Sequence, residues 1–338
     1  MKIYFLILFP LAIIFLSYYL KKISFGLSYT GEGHQRFVEK DQIPIIGGIF
    51  IVLGFVFFLD SFSQILKIHI FLIFFLGILS DFKYLNSPKI RFLIQIIIIS
   101  SFVYFNNLEI FDTRVIFLDE ILNNKYFNFI FVLFCVLILV NGSNFIDGLN
   151  TLLIGYYLII LINLLNSNLI PNLDLLNNDY LYWTILISIL FIFNFIKKLF
   201  MGDSGAYALG LIFSFILIKL HEYNDQISPF FILLLVWYPS YELLFSIIRK
   251  FKFGLSPVSA DNKHFHQLLY FYFSKKLKIR ENYLNSFTGV VINLYNFIII
   301  YLAFLKSGNT QFQFFLILIN LGVYTYIYLR LFLFRFRL

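Results

Sequence analysis

Residues 127–165 read FNFIFVLFCVLILV, then NGSNFIDGLN, then TLLIGYYLIILINLL. Two apolar runs therefore enclose one polar stretch, Asn141–Asn150, which has the character of a boundary between two membrane spans. Asn144, Asp147 and Asn150 lie three residues apart within it, so on a helical first turn they would share one face. An acid and two amides beside hydrocarbon suit the binding of a polar substrate or a hydrated cation.

The composition extends this apolar pattern to the whole chain of 338 residues. Hydrophobic residues make up 60% of it and charged residues 13%, with a mean hydropathy of +0.86. A soluble domain has too little interior to hide that much apolar surface. The composition therefore predicts an all-α polytopic membrane protein, folded as a single domain over residues 1–338. The only cysteine, Cys135, lies inside an apolar run, which predicts a packing role and excludes a disulfide within the chain.

Apolar runs of about 17–20 residues recur along the chain, and a helix of that length crosses a bilayer. They predict eleven transmembrane helices. The first has no small-residue cleavage site after it, so we expect it to be retained rather than removed as a signal peptide. The predicted spans are residues 3–20, 43–60, 66–80, 90–105, 125–140, 151–166, 180–196, 205–220, 229–248, 287–305 and 312–330.

The distribution of Lys and Arg predicts the orientation of these spans. With the N-terminus outside, 20 of the 26 basic residues fall in segments that face the cytoplasm, including the tail after the last span. The C-terminus is therefore expected inside. The net charge of +8 is then explained by basic residues that flank membrane spans. No loop interleaves basic and aromatic residues as a nucleic-acid platform would, so we expect no nucleic-acid partner.

The polar residues of chemical interest all fall on the predicted cytoplasmic side, whereas the outer loops carry acids without a comparable cluster. Five inner segments carry them: Pro44–Gly48, the Ser80-Asp81 pair with Lys89 and Arg91 after it, Asn141–Asn150, Phe200–Gly205, and a histidine loop over residues 259–267. Each segment interrupts the apolar pattern at the end of a predicted span. We therefore expect any active site at the cytoplasmic face.

Each of these features has a plainer explanation when it is taken alone. Asp203 could cap a helix, and Lys89 and Arg91 could extend along apolar surface to reach the interface. His264 and His266 could be solvated, because a spacing of two is not that of a helical metal pair. Independent caps and solvated side chains would not all be expected on one side of the membrane, however. The combination indicates one cytoplasmic site.

Five motifs, taken in chain order, resemble those of one known family. They are Pro-Ile-Ile-Gly-Gly, an acid followed by Lys-Ile-Arg and Gln, Asn-x-x-Asn-x-x-Asp-Gly, Phe-Met-Gly-Asp-Ser-Gly, and His-x-His. Over about residues 40–270 they resemble the polyprenyl-phosphate N-acetylhexosamine-1-phosphate transferases, which start lipid-linked O-antigen or form peptidoglycan lipid I. Each motif alone is weak evidence for the family, whereas the five motifs in this order are specific evidence for it. The predicted number of eleven spans resembles the O-antigen branch of this family more than the lipid I branch.

The resemblance implies a glycosyl-1-phosphate transferase that requires Mg²⁺ or Mn²⁺. Undecaprenyl phosphate would attack the sugar-bearing phosphate of a UDP-N-acetyl sugar, release UMP and form a lipid-linked diphospho-sugar for a cell-envelope glycan. Two polyanions must meet, so cations are needed to damp their repulsion. A lipid and a soluble nucleotide meet only at the membrane surface, which implies the bacterial cytoplasmic membrane with the active site on its cytoplasmic side. A one-step attack, a two-step route through a phosphorylated acid, and a homodimer are all compatible with the sequence.

The same resemblance implies a role for each candidate residue. Asp203 matches the ligand of a diphosphate-bound metal ion, and Asp81 matches the second of two paired acids that handle the lipid phosphate. Asp81 and Asp147 are the expected catalytic acids. Lys89 and Arg91 are expected to hold the lipid phosphate by their charge. The remaining candidates are expected to contact the nucleotide sugar: Asn144, Asn150, Phe200 as a stacking partner for uracil, His264 and His266.

Two positions depart from the pattern of that family. Ser80 stands where the first paired acid usually is, and Asn150 stands where a further acid often follows Asp-Gly-Leu. A lipid phosphate is already an anion near pH 7, because its second pKa is about 6. A strong base is then dispensable, and Asp81 alone can suffice. The departures also leave open an inactive homologue that acts as a scaffold.

A transporter or flippase for a lipid-linked sugar is the alternative from another class. It predicts ionisable groups within spans and repeated halves with broken helices. Glu242 in the ninth span is the only clear acid of that kind, and no internal repeat is visible. The sequence therefore favours the transferase.

Overall fold

The computed structural model describes residues 2–28, 42–59, 62–167, 169, 177–252, 254, 256 and 262–336. Within these residues the fold is helical, and extended chain is limited to two isolated bridges. The helices in chain order are α1 (Lys2–Ile23), α2 (Gly47–Phe58), α3 (Gln64–Asp81), α4 (Pro88–Phe105), α5 (Ile116–Leu122), α6 (Lys125–Ile146), α7 (Leu152–Leu165), α8 (Asn177–Phe195), α9 (Gly202–Glu222), α10 (Pro229–Leu235), α11 (Trp237–Lys252), α12 (Phe265–Lys276), α13 (Glu281–Leu305) and α14 (Thr310–Phe336).

Seven of these helices are long and apolar enough to cross a membrane: α1, α3, α4, α6, α9, α13 and α14. Helices α10 and α11 together form an eighth candidate. Three shorter apolar helices, α2, α7 and α8, coincide with the other predicted spans. The prediction of an all-helical, multi-pass membrane protein is confirmed, while the number of eleven spans and their orientation stay predictions.

The predicted span over residues 229–248 is not a single straight helix, because the chain bends by 77° between α10 and α11. Pro239 follows the break and lacks the amide that would bond to the carbonyl of Leu235 one turn earlier. The buried hydroxyl of Tyr156 donates to that carbonyl at 2.9 Å instead. The bend is thus stabilised by a hydrogen bond from another helix.

The polar stretch Asn141–Asn150 is not the helical first turn that its spacing suggested. Helix α6 continues through it to Ile146, Asp147 follows as the C-cap, and α7 begins only at Leu152. Polar side chains are tolerated in the last turns of α6 because they bond to its own backbone, as Ser143 Oγ does to the carbonyl of Leu139 at 2.6 Å. Asn144, Asp147 and Asn150 therefore do not share one helical face.

Helix α9 is the centre of the bundle and packs against α2, α3 and α6. Helices in a membrane associate closely where small residues let their backbones approach. A Cβ at Gly77 on α3 would overlap the backbone of Ser204, and a Cβ at Gly210 would lie 2.7 Å from Cα of Val140 on α6. These contacts hold the N-terminus of α9 against the ends of α3 and α6, where the candidate residues lie.

Candidate active site

Two motifs that are far apart in the sequence pair with each other beside the start of α9. The amide of Phe200 donates to the carbonyl of Pro44 at 2.8 Å, and the amide of Gly47 donates to the carbonyl of Phe200 at 3.0 Å. Ile45 and Phe200 form a parallel bridge between these contacts. The pairing anchors the Phe200–Gly205 segment, and the side chain of Phe200 remains half-buried.

Asp81, the last residue of α3, caps the N-terminus of α9. Its Oδ1 accepts from the amide of Asp203 at 2.8 Å, and its Oδ2 accepts from the amide of Ser204 at 3.1 Å. The first amides of a helix have no partner within it, and the positive end of the helix dipole favours a carboxylate there. Gly202, the first residue of α9, has φ +69°. A Cβ on it would lie 2.7 Å from Oδ2 of Asp81. The glycine is therefore required by both conformation and space.

The carboxylate of Asp203 is contacted by three hydrogen-bond donors from three helices. Its Oδ2 lies 2.8 Å from Nη1 of Arg91, accepts from the hydroxyl of Ser80, and lies 3.4 Å from the hydroxyl of Tyr207. Ser80 also accepts from Arg91, so the serine bridges the ion pair. Nε of Arg91 is buried and finds no acceptor among the residues that the structure describes.

Asp147 also lies at the N-terminus of α9, where the amide of Gly202 donates to its carboxylate. Burial first, and then the charges of Asp203 and Asp81, raise the pKa of Asp147 well above its usual range. Nδ2 of Asn144 lies 3.5 Å from the same Tyr207 hydroxyl that faces Asp203. The three predicted acids are therefore brought together, although 122 residues separate the first from the last.

The two histidines pack against the polar stretch that ends α6. His264 meets the ring of Phe145 edge to face at a centroid distance of 5.2 Å, and stacks on His266 at 5.5 Å. A Cβ at Gly148 would overlap Nε2 of His266, which places that ring against the residue after Asp147. Residues 259–261, the first part of the histidine loop, lie outside the described ranges.

Two predicted residues take other positions. Lys89 is exposed on the first turn of α4. Asn150 is only 1% exposed, and its amide donates to Oδ1 of Asn285 on α13 at 2.7 Å. Next to it, Asn293 of α13 donates to the carbonyl of Thr151 at 2.8 Å. The structure thus places Asn150 in a contact between helices, and the substrate-binding roles of both residues stay predictions.

Two residues of the site were not singled out by the sequence as site residues. Tyr207 follows Asp203 by four residues, a spacing that puts both on one face of α9, so this signal was present. Glu242 is bonded to His264 at 3.1 Å, rather than facing a transport path as the transporter alternative would require. No sequence signal linked Glu242 to the histidines, because they are 22 residues apart and on different helices.

The residues present fit a divalent cation that arrives with a phosphate substrate. In the part of the chain that the structure describes, no three His, Cys, Asp or Glu side chains form a metal cage. Mg²⁺ is usually held by one or two carboxylates together with water and substrate phosphates. Asp203 and Asp147 supply oxygen donors of that kind beside the half-exposed mouth of the site.

The chain is similar in sequence to several known proteins. The model of a family described as Glycosyl transferase family 4 matches residues 63–221, which include Asp81, Asp147 and Asp203. A probable undecaprenyl-phosphate N-acetylglucosaminyl 1-phosphate transferase of Bacillus subtilis is 27% identical over 294 residues, covering 82% of this chain and 80% of the relative. An undecaprenyl-phosphate alpha-N-acetylglucosaminyl 1-phosphate transferase of Yersinia pestis is 23% identical, covering 79% and 76%. A phospho-N-acetylmuramoyl-pentapeptide-transferase of Dictyoglomus turgidum is 32% identical, covering 56% and 64%.

Proposed function

We propose that this chain, whose residues 63–221 match the model of glycosyl transferase family 4, transfers an N-acetylhexosamine-1-phosphate from a UDP-sugar to undecaprenyl phosphate and releases UMP. Two relatives are named for the same lipid acceptor. The observation that carries the proposal is the meeting of Asp81, Asp147, Asp203 and Arg91 around the N-terminus of α9. A product of this kind would initiate a lipid-linked cell-envelope glycan.

The site suits two phosphate substrates because it combines fixed positive charge with oxygen donors. The positive end of the α9 dipole and the guanidinium of Arg91 attract phosphate oxygens. The Arg91 side chain keeps 24% of its surface exposed, so a phosphate can reach part of it. Asp203 and Asp147 would hold Mg²⁺ or Mn²⁺, which when bound neutralises charge on a diphosphate. Arg91 meanwhile orients the Asp203 carboxylate, because its Nη1 lies 2.8 Å from Oδ2 of Asp203.

The reaction exchanges one phosphorus–oxygen bond for another. An oxygen of the lipid phosphate bonds to the sugar-bearing phosphorus, and the bond from that phosphorus to the oxygen of UMP breaks. The lipid phosphate needs no strong base, because its second pKa is about 6. Both oxygens of Asp81 already accept amide hydrogens, so we assign this residue to holding Asp203 in place. We therefore favour direct attack over a phosphorylated Asp81.

We further propose eleven spans, an outer N-terminus and a site at the cytoplasmic face of a bacterial membrane. The polar segments lie at the ends of α3, α6 and α9 that this topology places inside. The excess of Lys and Arg on that side supports the same orientation. UDP-sugars would reach the site from the cytosol, and the lipid phosphate from the inner leaflet.

The decisive experiment uses the purified full chain in detergent with undecaprenyl phosphate, Mg²⁺ and UDP-N-acetylglucosamine labelled in the sugar. We expect label to move to the lipid phase with one UMP released per transfer, and Asp203→Ala to abolish both. Absence of transfer with every member of a panel of UDP-sugars would exclude the enzyme and leave the scaffold alternative. Movement of a preformed lipid-linked sugar between leaflets without UMP release would instead support a flippase.

A further inference from the structure

We propose that Glu242 is a positioning residue of this active site, which holds His264 and the start of α12 against the polar stretch at the end of α6. The inference rests on the proposed function and extends it beyond residues 63–221, where the family model matches. Glu242 touches none of the three acids in its hydrogen bonds, so it would act through the histidine.

Both carboxylate oxygens of Glu242 are engaged in specific contacts. Oε1 accepts from the amide of Phe265 at 3.1 Å and lies 3.1 Å from Nδ1 of His264. Oε2 accepts from the hydroxyl of Tyr324 on α14. The residue is only 1% exposed, and a buried carboxylate is tolerated when such partners replace its lost water. The contacts join α11, the N-terminus of α12 and α14 at one point.

These contacts fix the orientation of the His264 ring. With Nδ1 toward the carboxylate, Nε2 lies on the opposite side of the ring. The ring is held further by Phe145 and by His266, and His266 packs on Gly148 beside Asp147. The effect of Glu242 can therefore reach the acids through a continuous chain of packed side chains.

The last helix supports the same loop from the other side. The ring of Phe265 stacks on Tyr324 at a centroid distance of 4.8 Å, and the hydroxyl of Tyr328 donates to the carbonyl of Lys263 at 3.0 Å. Two tyrosines one turn apart on α14 thus hold the residues on both sides of His264. This gives α14 a role in building the site as well as in crossing the membrane.

A buried acid within a membrane span can also belong to a transport path, where it faces a cavity or another mobile charge. The hydrogen bonds of Glu242 go instead to an amide, an imidazole and a phenol that belong to packed elements. This arrangement favours a fixed support over a group that changes partners.

The test is a double-mutant cycle between Glu242 and His264 in the UMP-release assay. We expect Glu242→Ala to lower kcat by about 10- to 100-fold in the wild-type background, a loss typical of groups that orient a functional histidine. In a His264→Ala background the same change should cost nothing further, because its effect passes through the histidine. An equal loss in both backgrounds, or no loss in either, would overturn the positioning role. Activity of the wild type in the same assay judges the proposed function separately.

Two further variants keep the test decisive if Glu242→Ala does not fold. Glu242→Gln retains an acceptor for Phe265 and His264, so it should recover most of the activity. Activity as low as that of the alanine variant would count against positioning by hydrogen bonds. Tyr324→Phe removes the donor to Oε2 and should lower kcat in the wild type but not in the His264→Ala background. Equal losses would again exclude the role.

Tyr241→Phe is the matched control. It removes a 3.1 Å hydrogen bond to Thr325 that also joins α11 to α14 but does not involve the histidine loop. Its activity should equal that of the wild type. A loss like that of Tyr324→Phe would show that any weakening of the contact between these helices has the same effect, and would overturn the specific role of Glu242.

Discussion

Nη1 of Arg91 lies 2.8 Å from Oδ2 of Asp203, joining the first turn of α4 to the first turn of α9. Each side chain keeps 24% of its surface exposed, so the pair lies at the mouth of the site rather than in the core. The hydroxyl of Ser80 bonds to both members. Where the family resemblance leads one to expect the first of two paired acids, this chain therefore has a neutral serine that bridges a cation and a carboxylate.

Arg91→Lys should lower kcat/KM by about 10- to 100-fold, the effect of losing one strong charged contact of about 1.5–3 kcal/mol. A lysine is a single point charge and cannot bond Asp203, Ser80 and a phosphate with the fixed fork of a guanidinium. Transfer assays over a range of undecaprenyl phosphate concentrations measure the effect. The same substitution at Arg330, which bonds to Tyr326 one turn earlier on α14, should leave activity unchanged. Full activity of the Arg91 variant would remove this arginine from the mechanism.

Asp81→Asn should reduce both activity and stability. The asparagine offers one acceptor to two amides of α9, and its own NH₂ group would face the other amide. Loss of a charged cap typically costs about 1–2 kcal/mol, which should appear as a lower thermal midpoint. Activity should fall because Asp203 loses its support. If activity fell while the thermal midpoint stayed that of the wild type, Asp81 would act on the lipid phosphate instead, and unchanged values for both would remove it from the site.

Gly77→Ala should displace the N-terminus of α9, because the new methyl group would overlap the backbone of Ser204 next to Asp203. Overpacking of this kind costs about 1–3 kcal/mol, and backbone atoms cannot rotate away as a side chain can. We expect a lower thermal midpoint and a loss of transfer. Gly322→Ala on α14 is the matched control, since a Cβ there meets nothing within 4 Å. Equal behaviour of the two variants would contradict the close packing of α3 on α9.

Asp147 should make the metal-free protein less stable as the pH rises. Its pKa is raised in the folded state, so the folded protein holds the proton more tightly than the unfolded chain does. The stabilising effect is complete below the ordinary pKa of about 4 and is lost as the pH rises through the raised value. We expect thermal melts with a chelator, from about pH 4 to about pH 8, to show this change. The thermal midpoint of Asp147→Asn should rise relative to that of the wild type as the pH increases. Parallel curves would mean that the pKa of Asp147 is not raised in the folded state.

Much of the fold could be anticipated because hydrophobicity is a local property of the chain. A run such as Phe127–Val140 predicts a membrane helix whatever the rest of the fold is. The apolar segments predicted from the sequence coincide with helices. The bend after α10 could not be read in the same way. Pro239 weakens a helix, but the 77° turn also depends on the hydroxyl of Tyr156, which comes from another helix.

The sequence by itself determined the class of protein and the order of its motifs, and it named the three acids that meet. Only the tertiary structure decided how they are arranged, with Asp81 capping α9, Arg91 paired to Asp203, and Glu242 joined to His264 rather than to a transport path. The physical reason is one of scale. Which residues avoid water follows from composition along the chain, whereas a hydrogen bond between residues far apart depends on helix packing that is correct to a fraction of an ångström.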